Sequence, residues 1–240
     1  MISKLAIVTG SSGQLGKAFC QTLIENNYIV YGLDLNPESP FDNNHNYHHK
    51  AIDITDETAV IDFIKQFDKI NLLINNAGIG VFTPMEERTV DDFMNVMKVN
   101  LLGSFIITRE TIKFMKRNQG GKIINIGSIY GTVSSDSRIY GDSGRNNSEI
   151  YSITKAGIIQ FTKYLAAHYA KFNIQSNCIS PGGVFRNQNE FFTHNYKYRT
   201  PAERMGTESD MQSALEFLIS EKNNYLNGQN IIVDGGFTSW

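Results

Sequence analysis

The sequence predicts a doubly wound α/β domain built on a parallel β-sheet, and three features predict it. Short unbroken apolar runs recur along the chain, as in strands covered on both faces. Segments with apolar residues at helical spacing stand between them, so strands and helices alternate. A glycine cluster, Thr9-Gly-Ser-Ser-Gly-Gln-Leu-Gly16, joins the first run to the first helix. With 240 residues and 41% apolar content the chain can bury one sizeable core, and a single domain over residues 1–240 is expected.

Residues 5–8 form the first strand and 16–26 the first helix, with Phe19, Leu23 and Ile24 along one side. A second strand spans 29–33. Residues 35–46 are rich in Asn, Pro, Asp and Ser and read as a loop, followed by a strand at 47–52. Residues 56–67 are amphipathic through Val60, Ile64 and Phe67, and 72–74 is again strand-like. One long helix is predicted over 90–116, stopped by Asn118-Gln-Gly-Gly121, and a fifth strand over 122–126. A helix over 149–170 turns Ile158, Thr162, Leu165 and Tyr169 toward the sheet. A strand at 174–179, a helix at 207–218 and a closing strand at 231–233 complete the order. Right-handed crossovers then produce the doubly wound sheet. Residues 127–148 and 181–206 lack regular periodicity. Both follow strand C-termini, where open α/β sheets bind ligands, and they are the expected substrate loops.

A net charge of -2 supplies no broad basic field, and no block of like charges forms a polybasic tail, so nucleic acid is not an expected partner. Cys20 and Cys178 lie far apart in apolar segments and read as buried reduced thiols. Residues 1–8 are too short and too soon interrupted for a signal segment, and no stretch reaches 18 uninterrupted apolar residues. A cytoplasmic protein without membrane contact is the expectation. His45, His48 and His49 have no Cys or carboxylate array at metal spacing, so they read as a solvated loop and no metal is expected. Asn146-Asn-Ser148 fits a glycosylation acceptor but is assigned to chance.

The glycine turn allows the backbone to approach a pyrophosphate at the helix N-terminus, the Rossmann arrangement. Asp34 ends the second strand 18 residues past Gly16, where a carboxylate accepts hydrogen bonds from both hydroxyls of an adenosine ribose. That carboxylate repels a 2'-phosphate, and Ser12, Leu35 and Asn36 offer no cation to reverse the effect. The expected cofactor is NAD rather than NADP. Further along, Tyr151 and Lys155 stand four apart in a predicted helix and share one face. The ammonium there favours the phenolate. Making a phenol useful as a base near neutrality requires roughly 4 kcal/mol of such preference. Tyr151 is the candidate acid/base for carbonyl chemistry.

With these residues in order stand Asp53-Ile54, Asn75-Asn-Ala-Gly78, Asn100, Ser128, Pro181-Gly182 and Asp234-Gly-Gly236, and the chain resembles the short-chain dehydrogenase/reductase superfamily along nearly its whole length. The resemblance implies that Gly10, Ser12, Gly13, Gln14, Leu15, Gly16, Asp34, Asp53, Ile54, Asn76, Ala77, Gly78, Pro181, Gly182 and Val184 surround the cofactor. It implies that Asp53 meets the adenine amino group and that Asn76 to Gly78 brace the sheet. Lys155 would also hold the nicotinamide ribose, beside Tyr151. Ser128 would donate to the substrate oxygen, and Asn100 would anchor a water that relays protons to Lys155. Asn100 lies inside a predicted helix, where asparagine is a poor former, so a local kink or a polar role must offset it. One departure concerns the turn. Its middle glycine is Gly13, and Gln14 takes the place where the short single-domain branch usually has glycine; this spacing is more typical of the branch that contains sugar-nucleotide epimerases and dehydratases.

Ser128 and Tyr151 are 23 apart, about ten more than is common in the superfamily. The intervening Asp136, Arg138, Tyr140, Asp142, Arg145, Asn146 and Asn147, with Arg186, Asn187, Gln188, Asn189, His194, Tyr196 and Arg199 from the second loop, suit a polyhydroxylated or phosphorylated substrate. Arg138, Tyr140, Arg145 and Arg186 are the substrate candidates. The stretches 147–155, 181–188 and 233–240 resemble a bacterial subgroup associated with flagellin modification and with nonulosonic-acid or lipopolysaccharide sugar synthesis. This makes an amino sugar, sugar phosphate or nucleotide sugar the leading substrate class. An epimerase or dehydratase with transient oxidation, a general carbonyl or 3-oxoacyl reductase, and a dinucleotide sensor are the alternatives. Ala156, Gly157, Ala166 and Ala167 allow close helix packing, and the resemblance implies a homodimer or homotetramer.

Overall fold

The computed structural model describes residues 4–41, 44–143, 145 and 147–240. Residues 1–3 and Asn146, read above, lie outside them. The described chain runs β1 (Lys4–Thr9), α1 (Gln14–Glu25), β2 (Tyr28–Asp34), β3 (Tyr47–Ala51), α2 (Glu57–Ile64), β4 (Leu72–Asn75), α3 (Val90–Met97), α4 (Ser104–Arg117) and β5 (Gly121–Ile126). It continues through α5 (Glu149–Tyr169), β6 (Ile174–Pro181), α6 (Glu190–Arg199), α7 (Glu208–Ile219) and β7 (Asn230–Val233). The strands form one sheet in the order β3-β2-β1-β4-β5-β6-β7, parallel throughout. This is the predicted doubly wound sheet, and its direction of growth reverses between β1 and β4, the crevice where such sheets bind ligands.

Alternation along the strands sorts side chains onto two buried layers. Ala6 and Val8 of β1 face Phe19, Cys20 and Leu23 of α1 and Met211 and Leu215 of α7. Ile7 faces the opposite layer, with Val60, Phe63 and Ile64 of α2, Ile106 and Ile107 of α4, and Leu165 of α5. A polar line crosses the second layer without exposing itself. Asn75 Nδ2 donates to Thr108 Oγ1 (2.8 Å) and to Asn125 Oδ1 (2.7 Å), and Asn125 Nδ2 donates to Thr162 Oγ1 (2.9 Å). Buried amides thus tie β4 and β5 to α4 and α5. Both cysteines are free and buried.

The structure departs from the expected elements in two places. The single helix over 90–116 is two helices joined by a π-turn at Lys98–Gly103, which carries Asn100. Such insertions mark functional sites, and the poor helix former sits inside one. Residues 181–206 contain α6, whose N-cap Asn189 accepts from Phe192 N–H (2.8 Å). Only Tyr196 of that helix is buried, so no apolar stripe announced it. The strand expected at 47–52 is β3, and it carries His48 and His49, which the sequence reads as part of a solvated loop. Among the described residues no three His, Cys, Asp or Glu side chains come together, and no helix is long and apolar enough to cross a membrane. Of the small residues on α5, Gly157 packs on Leu101 and Ala166 lies beneath Gly228 in the same chain, while Ala156 and Ala167 are exposed.

Candidate active site

The turn after β1 is shaped by contacts that exclude side chains. Gly10 has φ +65°, and a Cβ there would meet Ala77 Cα at 2.8 Å; one on Gly16 would fall 2.0 Å from the Gly10 carbonyl oxygen. Asn76 Nδ2 donates to the carbonyls of Thr9 (3.0 Å) and Gly10 (2.9 Å), and Thr9 Oγ1 accepts from the N–H groups of Asn76 (3.1 Å) and Ala77 (3.0 Å). The segment after β4 therefore clamps the turn. At its end α1 starts on Gly13 with no side-chain cap and no acidic residue in its first turn, and the Ser12 hydroxyl is buried without a partner among the described residues. These are open donors aimed where an anion is stabilised by the helix N-terminus.

Asp34 stands at the end of β2, its two carboxylate oxygens accepting from Ser12 N–H (2.9 Å) and Asn36 N–H (3.0 Å). It lines, with Gly10, Ser12, Gly13, Gln14 and Leu15, a groove of about 620 Å³ that continues past Asn76, Ala77 and Gly78 to Ser128, Tyr151, Lys155, Pro181, Gly182 and Val184. The residues present fit a dinucleotide: free N–H groups for a pyrophosphate, a carboxylate for a ribose, and length between them. Gly16, Asp53 and Ile54 do not line this groove. Gly16 supports the turn, Asp53 is an exposed residue past β3 whose carboxylate accepts from Thr55 N–H (2.8 Å), and Ile54 is buried against Gly103. The resemblance placed Ile54 beside the cofactor; the structure gives its side chain to the core.

At the far end, α5 delivers Tyr151 and Lys155 to one face as their spacing required. Lys155 is 5% exposed; its Nζ donates to the Ile126 carbonyl at the end of β5 (2.8 Å) and lies 5.5 Å from the centre of the Tyr151 ring. Ser148 caps this helix by accepting from Tyr151 N–H (3.2 Å). Ser128 follows β5, is buried, and accepts from Tyr130 N–H (3.1 Å). Asn100 holds both backbone groups of Ile79: Oδ1 accepts from its N–H (2.8 Å), and Nδ2 donates to its carbonyl (3.0 Å) and to Thr154 Oγ1 (3.0 Å). From within the π-turn its side chain braces the segment after Gly78 against the α5 helix.

Beside the groove lies a cavity of about 450 Å³ whose wall includes Phe82, Ile129, Tyr130, Tyr140, Phe192, Tyr196 and Met205. Polar groups from the two loops, Ser143, Arg145, Asn147, Arg186, Gln188 and Asn189, complete it. The wall is more aromatic than loop composition implied. Of the four substrate candidates, Tyr140, Arg145 and Arg186 line this cavity; Arg138 does not, because it is 85% exposed and its guanidinium pairs with Asp136 (2.7 Å). Burial pushes the Tyr130 and Tyr140 phenols up, and the Tyr196 phenol up to about 12, so these three stay protonated. Gly78, Ser128, Tyr151, Gly182, Val184 and Arg186 line groove and cavity alike.

Gln14, where the glycine pattern departs, fastens the turn to the second loop. Its Nε2 donates to the Phe185 carbonyl (2.7 Å) and to Glu208 Oε1 (2.8 Å) at the start of α7. Nothing in the local sequence signals a contact across that separation. Gln14→Ala removes two bonds near the surface, so the melting temperature should hardly move while the loop beside the groove loosens. A 5- to 10-fold rise in Kd for NADH is expected by fluorescence titration. An unchanged Kd would reduce the contact to a surface tie.

Comparison with known proteins agrees with this geometry. The family described as short chain dehydrogenase matches residues 4–195. A 3-oxoacyl-[acyl-carrier-protein] reductase of Chlamydia pneumoniae is 30% identical over 253 aligned residues, covering 99% of this chain and 98% of its own. A 2-dehydro-3-deoxy-D-gluconate 5-dehydrogenase of Formosa agariphila is 34% identical over 191 residues, covering 75% and 67%. The crystal structure of a short chain dehydrogenase from Leptospira borgpetersenii with bound NAD+ superimposes with a TM-score of 0.93 at 41% identity, covering 98% of this chain and 93% of that one.

Proposed function

The chain belongs to the short chain dehydrogenase family, an oxidoreductase family, and from that membership and the joined clefts we propose an NAD-dependent enzyme interconverting a secondary alcohol and a ketone on a polar, sugar-type substrate. The observation that carries this reading is the shared wall: Ser128 and Tyr151 face a dinucleotide groove on one side and a small-molecule cavity on the other. Asp34 supports NAD, as does the bound NAD+ of the Leptospira relative.

When bound, the nicotinamide supplies or accepts the hydride. The protein's own part is the proton. In the oxidative direction Tyr151 Oη takes the proton of the substrate hydroxyl as the carbon loses its hydride; in reduction it returns a proton to the carbonyl oxygen. Lys155, without a carboxylate partner among the described residues, holds its ammonium 5.5 Å from the centre of the Tyr151 ring, where its charge favours the phenolate. Ser128 holds the substrate oxygen beside Tyr151. Its hydroxyl already accepts from Tyr130 N–H, which leaves its proton free to donate.

Two readings compete for the cavity. The polar loop residues and the sugar-acid relative support a sugar-type substrate, whether amino sugar, sugar phosphate or nucleotide sugar; the aromatic wall and the acyl-carrier relative support a 3-oxoacyl substrate. An apolar wall with few polar groups is ordinary for any small-molecule site, so the polar groups discriminate better. With a panel of sugar acids, sugar phosphates, nucleotide sugars and an acetoacetyl thioester, NADH absorbance should show kcat/KM at least about 10-fold higher for a polyhydroxylated member. Turnover of the thioester alone would overturn the sugar reading. Net NADH change also separates a dehydrogenase from an epimerase, which returns its hydride.

A further inference from the structure

Arg145 and Arg186 come from different irregular segments and line one cavity, and no Asp or Glu lines it with them. Among the described residues neither guanidinium has a carboxylate within ion-pair distance, nor does that of Arg117, whereas Arg88, Arg109, Arg138, Arg199 and Arg204 each have at least one. The cavity is therefore cationic inside a chain of net charge -2. Arg145 is exposed at the mouth of the cavity, its Cζ 4.5 Å from the centre of the Phe82 ring, a cation–π contact that leaves its donors free to bind. Arg186 stands on the wall shared with the dinucleotide groove and hence near the reacting end.

We propose that the substrate carries an anionic group, a carboxylate or a phosphate, received by Arg145 and Arg186 while the carbon bearing its hydroxyl or carbonyl faces Tyr151. This rests on the oxidoreductase reading and narrows its substrate to acidic hydroxy compounds. Two guanidiniums with paired donors match the oxygens of either group, and the aromatic wall beneath them covers the carbon skeleton. Anchoring charge at one end fixes which hydroxyl reaches Tyr151, so the arginines set regiochemistry as well as affinity.

Tartrate, inorganic phosphate and the neutral tetritol erythritol are titrated into the complex of the protein with NADH by calorimetry at constant ionic strength, for wild type, Arg145→Gln and Arg186→Gln. Saturable binding of at least one anion is expected, with erythritol at least about 10-fold weaker and each variant about 10-fold weaker for the anion. A preference for tartrate identifies a carboxylate, one for phosphate a phosphoryl group. Equal binding of anion and tetritol, or variants that bind the anions as wild type does, would overturn the proposal. Should Arg186→Gln lose NADH binding, Arg145→Gln decides, because Arg145 lines the cavity and not the groove. NADH binding without any anion effect removes the anionic subsite alone; failure of wild type to bind either NADH or NADPH removes the oxidoreductase reading beneath it.

Discussion

Tyr151→Phe is expected to lose about 10³-fold in kcat while binding NADH with an unchanged Kd. The substitution keeps the ring that forms the wall between groove and cavity, keeps the Ser148 cap on the helix, and keeps the bond from Lys155 to the Ile126 carbonyl. Only the hydroxyl that exchanges a proton with the substrate is gone. No neighbouring phenol can stand in. Tyr130, Tyr140 and Tyr196 line the same cavity, but burial raises all three, and none of them also lines the dinucleotide groove as Tyr151 does. Stopped-flow hydride transfer with the best substrate of the panel, beside fluorescence titration of NADH, separates the two quantities. A kcat within tenfold of wild type would show that another group moves the proton. Parallel loss of NADH binding would show that the hydroxyl serves the groove instead of the chemistry.

What the sequence disclosed about this site depended on how local the determining contacts are. Tyr151 and Lys155 were legible because helical spacing alone puts them on one face, and Gly10 and Gly16 because a tight strand-to-helix turn has few solutions. Asn100 was half legible: a poor helix former signalled a distortion, but its hold on Ile79 and Thr154 depends on tertiary packing. Loop side chains were the hardest. Arg138 and Arg145 are seven apart and of one type, yet Asp136, two residues from Arg138, draws it into a local ion pair while Arg145 lies over Phe82 in the cavity. Composition cannot distinguish two such outcomes. The α6 helix escaped notice because it buries one side chain, although Asn189 followed by Glu190 was a start signal in plain view. Gln14 looked like a fault in a glycine pattern; the bond to Phe185 that explains it joins residues far apart in the chain.

Asp34→Arg is expected to raise the ratio of kcat/KM for NADP over NAD by at least about 100-fold, mostly through loss of NAD and gain of NADP together. Among the described residues Asp34 has no ion-pair partner; its oxygens accept from two backbone N–H groups at the end of β2, in the groove that a dinucleotide would occupy. A carboxylate there accepts from ribose hydroxyls and repels a 2'-phosphate, and like-charge juxtaposition costs several kcal/mol, where each 1.4 kcal/mol is a factor of ten. Arginine inverts the sign. The same change also removes the acceptors for Ser12 and Asn36, so part of the NAD loss could come from a disturbed turn rather than from the ribose. Asp34→Asn separates the two causes, since its amide oxygen can still accept from one of those N–H groups while the charge is gone. Its ratio should rise as well, by about 10-fold, with Tm close to wild type. If Asn leaves the ratio where it was and Arg merely weakens both cofactors alike, the carboxylate shapes the turn and some other group selects the dinucleotide.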